Sequence, residues 1–126
     1  MDLKEYFENT QGFGVLSTAD AEGRVDSAVY SRPHVMEDGS LAFIMADRLS
    51  HHNLTENPSA VYLFREGSEG YSGKRFYLKM VRDEKNSPLI EELRRRKTYA
   101  PEREYELKDR FLVWFEIERE RPLSGD

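Results

Sequence analysis

The chain has 126 residues, 38% of them hydrophobic, no cysteine and a formal net charge of −5. This length predicts a single domain, residues 1–126, with one sizeable core. The acidic balance excludes a general nucleic-acid binder, which needs clustered cations to displace counterions, and the lack of cysteine excludes disulfides and thiolate metal sites.

The start of the chain is charged and lacks the apolar segment of a secretory leader. Asp2, Lys4 and Glu5 come too early for such a leader. No apolar run approaches the length that spans a bilayer. We therefore expect a cytoplasmic protein that has no membrane partner.

The first half of the chain predicts a short helix followed by antiparallel strands. Leu3, Tyr6 and Phe7 share one helical face, and the turn that ends in Gly23 separates two apolar segments. Pro33 indicates an edge or a bulge rather than a central strand position. The predicted elements are a helix over 2–9 and strands over 13–19, 25–30 and 41–45.

The second half predicts further strands and two helices. A helix begins near Ser50 and stops before Pro58, and a second begins at Ser87 with Pro88 in its first turn. The predicted strands are 60–64, 74–81 and 111–117, and the second helix covers 87–97. We expect loops over 66–73 and 99–108 and a polar, frayed tail from Arg119.

These elements favour one fold class. About six strands with short turns and a few small helices are typical of a mainly β protein. Because helices do not alternate with strands, a doubly wound parallel sheet is not expected. The sequence therefore predicts an antiparallel β-barrel with short peripheral helices.

The corner after the third strand is the strongest candidate site. Arg48 and Ser50 stand where a helix begins, and Ser50 is the predicted N-cap. A helix N-terminus offers free N–H donors and partial positive charge, and arginine adds a fork of donors suited to phosphate. The corner predicts a phosphate site; the alternative is a helix start with a cap and no ligand.

Four segments, taken in order, resemble the pyridoxamine 5′-phosphate oxidase-like family of FMN-binding split barrels. They are GVLSTAD at 14–20, GRVDSAVY at 23–30, DGSLAFIM at 38–45 and RLSHHNLTENP at 48–58. The strand GKRFYL at 73–78 fits the family more loosely. The resemblance implies a split β-barrel that forms a homodimer and holds FMN in a groove at the subunit interface.

The resemblance also implies which residues contact the cofactor. The strand residues that would run beside the flavin are Ser27, Ala28, Val29 and Tyr30. Those near the ring or the ribityl chain would be Ile44 and Met45. The residues that would surround the phosphate are Arg48, Leu49, Ser50 and Asn53. Trp114 would reach a flavin bound mainly to the other subunit.

The chain departs from the vitamin-processing oxidases of this family. Their corner carries Ser-Arg-Lys, whereas this chain has Arg48, Leu49 and Ser50, and Ser27 or Ala28 stands near an earlier basic position. Their substrate-binding C-terminal segment has no counterpart, so pyridoxamine phosphate is not assigned as substrate. The resemblance implies a small flavin-dependent oxidoreductase of unknown substrate; no side chain is assigned as catalytic.

Several alternatives stay open. The rival hypothesis is a non-catalytic flavin, haem or deazaflavin binding or sensor protein. Some relatives bind haem, and His34, His51 or His52 would then be the haem ligand. Adjacent histidines on a helix point about 100° apart, so His51 and His52 do not form a chelating pair and no metal site is predicted. Arg32 and His34 are interpreted as part of a solvated bulge rather than a substrate loop.

Overall fold

The computed structural model describes residues 2–96 and 109–125, and the predicted loop over 99–108 lies outside them. The helices are α1 (Leu3–Asn9), α2 (Leu49–Glu56) and α3 (Leu89–Arg96). The strands are β1 (Gly12–Ala19), β2 (Val25–Val29), β3 (His34–Val35), β4 (Leu41–Ala46), β5 (Ser59–Glu66), β6 (Gly73–Lys85) and β7 (Arg110–Pro122). No helix in these ranges is long and apolar enough to cross a membrane.

The strands form one sheet in the order β2-β1-β5-β6-β7-β4-β3. Every pairing recorded in it is antiparallel. The sheet has seven strands rather than about six, because the two residues of β3 pair with β4 after Pro33. The predicted mainly antiparallel β fold with short helices is confirmed.

The main core lies inside the curved sheet and is rich in aromatic rings. Phe7 of α1 has its ring centroid 5.3 Å from that of Phe64 and 5.6 Å from that of Phe76. Phe43 and Tyr62 meet edge to face at 5.1 Å. Edge-to-face pairs add stabilisation beyond the burial of their area, so α1 is held on the barrel by its aromatic face.

A second, smaller apolar cluster lies on the outer face of β4 and β7. Ala42, Leu112 and Trp114 pack there against Ile90 and Leu93 of α3. Neighbouring residues of the same strands, such as Phe43 and Phe115, point into the main core. Side chains of a strand alternate between its two faces, so β4 and β7 are apolar on both sides.

The predicted frayed tail is wrong. β7 continues to Pro122, and Arg119 pairs with Tyr77 of β6. Lys74 donates to Glu120 at 2.6 Å across the same two strands. The polar side chains suggested a loose tail, but pairing with the long β6 satisfies the backbone donors and acceptors whatever the side chains are.

The predicted solvated bulge at Arg32 is also wrong. Arg32 is only 9% exposed. Its Nη1 donates to the carbonyl oxygens of Phe7 at 2.9 Å and of Thr10 at 2.6 Å. The last carbonyls of a helix lack partners within the helix, and α1 has no basic residue in its last turn. Arg32 supplies those donors from the segment between β2 and β3.

Candidate functional site

The corner between β4 and α2 is a short connection of two residues. Arg48 is the N-cap of α2, with extended dihedral angles of φ −138° and ψ −168°. Its N–H donates to the carbonyl of Ala46 at 2.9 Å, and its carbonyl accepts from the N–H of His52 at 3.0 Å. The chain therefore enters the helix directly from the strand.

The prediction of Ser50 as the N-cap is wrong. The helix begins at Leu49, so Ser50 lies inside its first turn and its hydroxyl cannot cap the turn. Serine is favoured at N-caps, but the tight turn after Ala46 places Arg48 in that position instead. Within the part of the chain that the structure describes, the side chain of the N-cap residue Arg48 makes no capping hydrogen bond to the first turn of α2.

The corner keeps the groups that an anion needs. The Arg48 side chain is exposed and has no hydrogen bond or ion pair within 2–96 and 109–125. Ser50 is only 6% exposed, and its hydroxyl likewise bonds to none of the described side chains or backbone groups. The first turn of α2 has no acidic residue. Free backbone donors, an unengaged guanidinium and a hydroxyl therefore meet at one helix end, as an anion site requires.

Asn53 holds α2 against the barrel. Its Nδ2 donates to Oγ1 of Thr18 on β1 at 3.1 Å, and both residues are buried. Leu54, on the next position of the helix, belongs to the main core. The amide of Asn53 thus fixes the helix on β1 beneath the corner.

The predicted flavin-facing residues of β2 alternate between solvent and protein. Ser27 and Val29 are exposed, Val29 by 62%, whereas Ala28 is half-buried. The hydroxyl of Ser27 bonds to that of Ser17 at 2.8 Å. The ring of Tyr30 lies edge to face with Phe43 at 5.9 Å and packs on the main core. β2 therefore presents Ser27 and Val29 to the outside, whereas Tyr30, directly after the strand, packs on the main core.

The predicted residues of β4 and β7 fall on two faces. Ile44 packs against the outer cluster that contains Trp114. Met45 is fully buried in the main core, on the opposite face of the strand. The guanidinium of Arg82 lies 4.4 Å from the centroid of the Trp114 ring and covers it. The structure brings Ile44 and Trp114 together, and places Met45 below the surface on which a ligand would lie.

His51 and His52 differ sharply in their surroundings. The imidazole of His51 is 7% exposed, lies 2.7 Å from Oδ2 of Asp83 and stacks on Phe111 at 3.6 Å. His52 is exposed and lies 3.0 Å from Glu56. The described ranges contain no group of three or more residues placed to hold a metal. The buried role of His51 was missed, although its spacing of three from Leu54 marks it as part of the inner face of α2.

An ion pair between Asp20 and Arg24 lies near the C-terminal end of α2. Nε of Arg24 donates to Oδ2 of Asp20 at 2.7 Å, which lowers the pKa of Asp20 and raises the pKa of Arg24. Glu56, at the end of α2, accepts from the N–H of Ala21 at 3.3 Å in the same turn. These charges satisfy one another, and Arg48 lies at the opposite end of the helix.

No family model and no curated protein matches the sequence. Solved structures do match over nearly the whole chain. An FMN-binding protein from Syntrophomonas wolfei subsp. wolfei has a TM-score of 0.75 at 20% identity, covering 97% of this chain and 84% of its own. An F420 reductase has a TM-score of 0.74 at 14% identity, covering 96% and 98%.

HupZ of Group A Streptococcus also matches, with a TM-score of 0.65 at 17% identity, covering 95% of this chain and 90% of its own. At these identities the likeness establishes the fold. The predicted split-barrel fold is confirmed by these comparisons. A fold alone does not carry a function, which depends on the residues of the site.

Proposed function

We propose that this chain binds FMN in a groove between the two subunits of a homodimer, with the phosphate at the N-terminus of α2. The observation that carries the proposal is the uncapped first turn of α2 beside the unengaged guanidinium of Arg48. The likeness to an FMN-binding protein supports the choice of cofactor.

The donor set fits a phosphate monoester. Such a group carries close to two negative charges and three acceptor oxygens at neutral pH. Arg48 supplies a permanent charge and a fork of donors, and Ser50 supplies a hydroxyl one residue inside the helix. The free N–H groups of the first turn add donors that are already oriented, so an anion requires no rearrangement of the backbone.

Exposed apolar side chains on β2 and α2 would suit a flat aromatic ring and a second subunit. Val29 of β2 and Leu49 of α2 are large apolar residues with 62% and 54% of their surface exposed, and α2 contacts β2. β2 is an edge strand of the sheet. Exposed apolar side chains on an edge are commonly covered by a partner, so both the ring and the second subunit would bury this surface.

The proposal extends to a small-molecule oxidoreductase in the cytoplasm. Bound FMN would supply the hydride or electron chemistry. The residues of this chain would neutralise the phosphate, orient the ring and exclude water from one face of it. A non-catalytic flavin protein is the alternative. The likeness to an F420 reductase favours a deazaflavin as the second candidate cofactor.

The first experiment is a visible absorption spectrum of the purified protein before and after FMN is added and the excess removed. Retained bands near ~375 and ~450 nm, as in oxidised flavin, would support the proposal. Oxidation of a reduced donor by the loaded protein would favour an enzyme over a carrier. A protein that retains F420 but not FMN would favour the deazaflavin, and a Soret band would favour haem.

The role of the corner is tested by the dissociation constant of FMN in Arg48→Ala. Loss of a charged contact to phosphate should weaken binding by about tenfold or more. Arg119→Ala is the matched control, because it removes the same charge from an exposed position on β7. Equal dissociation constants for Arg48→Ala and the wild type would reject the phosphate role of Arg48.

A further inference from the structure

His51 ties the first turn of α2 to the two long strands. Its Nε2 lies 2.7 Å from Oδ2 of Asp83 on β6, and its ring is nearly parallel to that of Phe111 on β7, at an angle of 16°. A carboxylate oxygen only accepts, so the Nε2–H of His51 donates. Two different interactions thus hold one side chain of this turn.

The first turn of α2 depends on tertiary contacts for its stability. Isolated helices as short as eight residues are marginal in water, and a helix without an N-cap side chain loses about 1 kcal/mol relative to a capped one. Among the described residues, the N-cap residue Arg48 gives the first N–H groups of α2 no side-chain hydrogen bond. The bond from His51 to Asp83 and the stack on Phe111 therefore anchor the turn from its inner side.

We propose that His51 is a positioning residue that holds the first turn of α2 in the geometry that binds the cofactor phosphate. This inference rests on the proposed function, because the phosphate would contact Arg48 and Ser50 of the same turn. His51 is buried and would not touch the phosphate. It acts through the backbone, whose N–H groups must point at the ligand.

The structure offers variants that separate the two interactions of His51. His51→Phe keeps a ring that stacks on Phe111 and removes the bond to Asp83. His51→Gln places an amide nitrogen near the position of Nε2, which keeps that bond and removes the stack. His52→Phe is the matched control, because the same residue type changes at the next, exposed position.

The measurement compares the dissociation constants of FMN and riboflavin, which share the ring and the ribityl chain but differ in the phosphate. We expect His51→Phe to weaken FMN by about tenfold and riboflavin by less than about twofold, since only the phosphate end is displaced. His51→Gln should recover most of the FMN affinity, and His52→Phe should match the wild type. A purely structural role would move both ligands together.

The backbone itself gives a second readout, in the ligand-free protein. The N–H of residue 52 is the first amide of α2 that bonds within the helix, to the carbonyl of Arg48 at 3.0 Å. His51→Phe should accelerate its hydrogen exchange by about tenfold, because opening of an untied turn is less costly. His52→Phe should leave the exchange of that amide close to its wild-type rate.

The outcomes separate the inference from the proposed function. If the wild type binds FMN and His51→Phe weakens both flavins equally, or neither, the positioning role of His51 is overturned. If the wild type binds neither flavin, the proposed function fails, and exchange at residue 52 still decides whether His51 holds the turn. If hydrogen exchange at residue 52 is unchanged in His51→Phe, His51 does not hold the first turn of α2.

Discussion

Replacement of Arg32 by methionine should destabilise the protein strongly, although Arg32 is outside the candidate site. The guanidinium donates to two carbonyls at the end of α1 and is almost fully buried. Methionine keeps most of the apolar stem but no donor, so both carbonyls lose a charged partner. The variant therefore isolates the hydrogen bonds from the packing of the side chain.

The expected magnitude follows from those two bonds. Each hydrogen bond to a charged group contributes about 1.5–3 kcal/mol, so we expect a loss of about 3 kcal/mol or more. This is a large part of the roughly 5–15 kcal/mol by which a native domain is stable. With a urea m-value of about 1–3 kcal/mol/M, the unfolding midpoint should fall by about 1–3 M.

Equilibrium urea unfolding measures this effect, with Arg32→Lys and Arg119→Met as comparisons. Lysine keeps the charge without the planar fork, so we expect a smaller loss of stability. Arg119 is exposed, and its replacement should change the free energy of unfolding by no more than about 0.5 kcal/mol. If Arg32→Met were as stable as Arg119→Met, the contacts to α1 would not stabilise the fold and the reasoning would be wrong.

Two further predictions concern β1 and the turn after it. A Cβ on Gly14 would lie 1.9 Å from the hydroxyl oxygen of Tyr62. Gly14→Ala should therefore lower the free energy of unfolding in urea by about 1–3 kcal/mol. Adding Tyr62→Phe should recover part of that loss. Full stability of Gly14→Ala alone would contradict this. Because Arg24 lowers the pKa of Asp20, stability from that pair is present at neutral pH and is lost as the pH falls through the folded pKa of Asp20. An NMR titration should find the pKa of Asp20 below the usual range of an aspartate side chain, and this pKa should rise in Arg24→Ala. Equal pKa values in the two proteins would refute the assignment.

Local sequence signals predicted most of the secondary structure. Gly23 and Gly39 both have positive φ and lie in turns between strands, as predicted for Gly23. The helix at Ser87 begins close to the predicted position, with the N–H of Leu89 bonded to the serine hydroxyl at 3.3 Å. These features depend on a few neighbouring residues, which is why a single sequence reveals them.

The errors and omissions share a different cause. Arg32 bonds to residues 25 and 22 positions away, and His51 bonds to a residue 32 positions away. Such partners are set by the tertiary fold and leave no periodic pattern. Ser50 was placed as a cap by its intrinsic preference, which the tight exit from β4 overrode. The cofactor residues stay a prediction, because two subunits would meet at that groove.

Because β4 and β7 are apolar on both faces, their pairing register is specified differently from that of a half-buried strand. In most half-buried strands a slip of one residue would expose the core side chains, so the hydrophobic pattern, together with turn geometry, sets the register. Here a slip would exchange Ala42 and Ile44 with Phe43 and Met45, and each face would remain apolar. The hydrophobic pattern therefore does not distinguish the two alignments of β4 and β7, and side-chain volume contributes to the distinction. Substitutions that equalise the two faces in size, such as Ala42→Phe, should permit a shifted pairing before they unfold the domain.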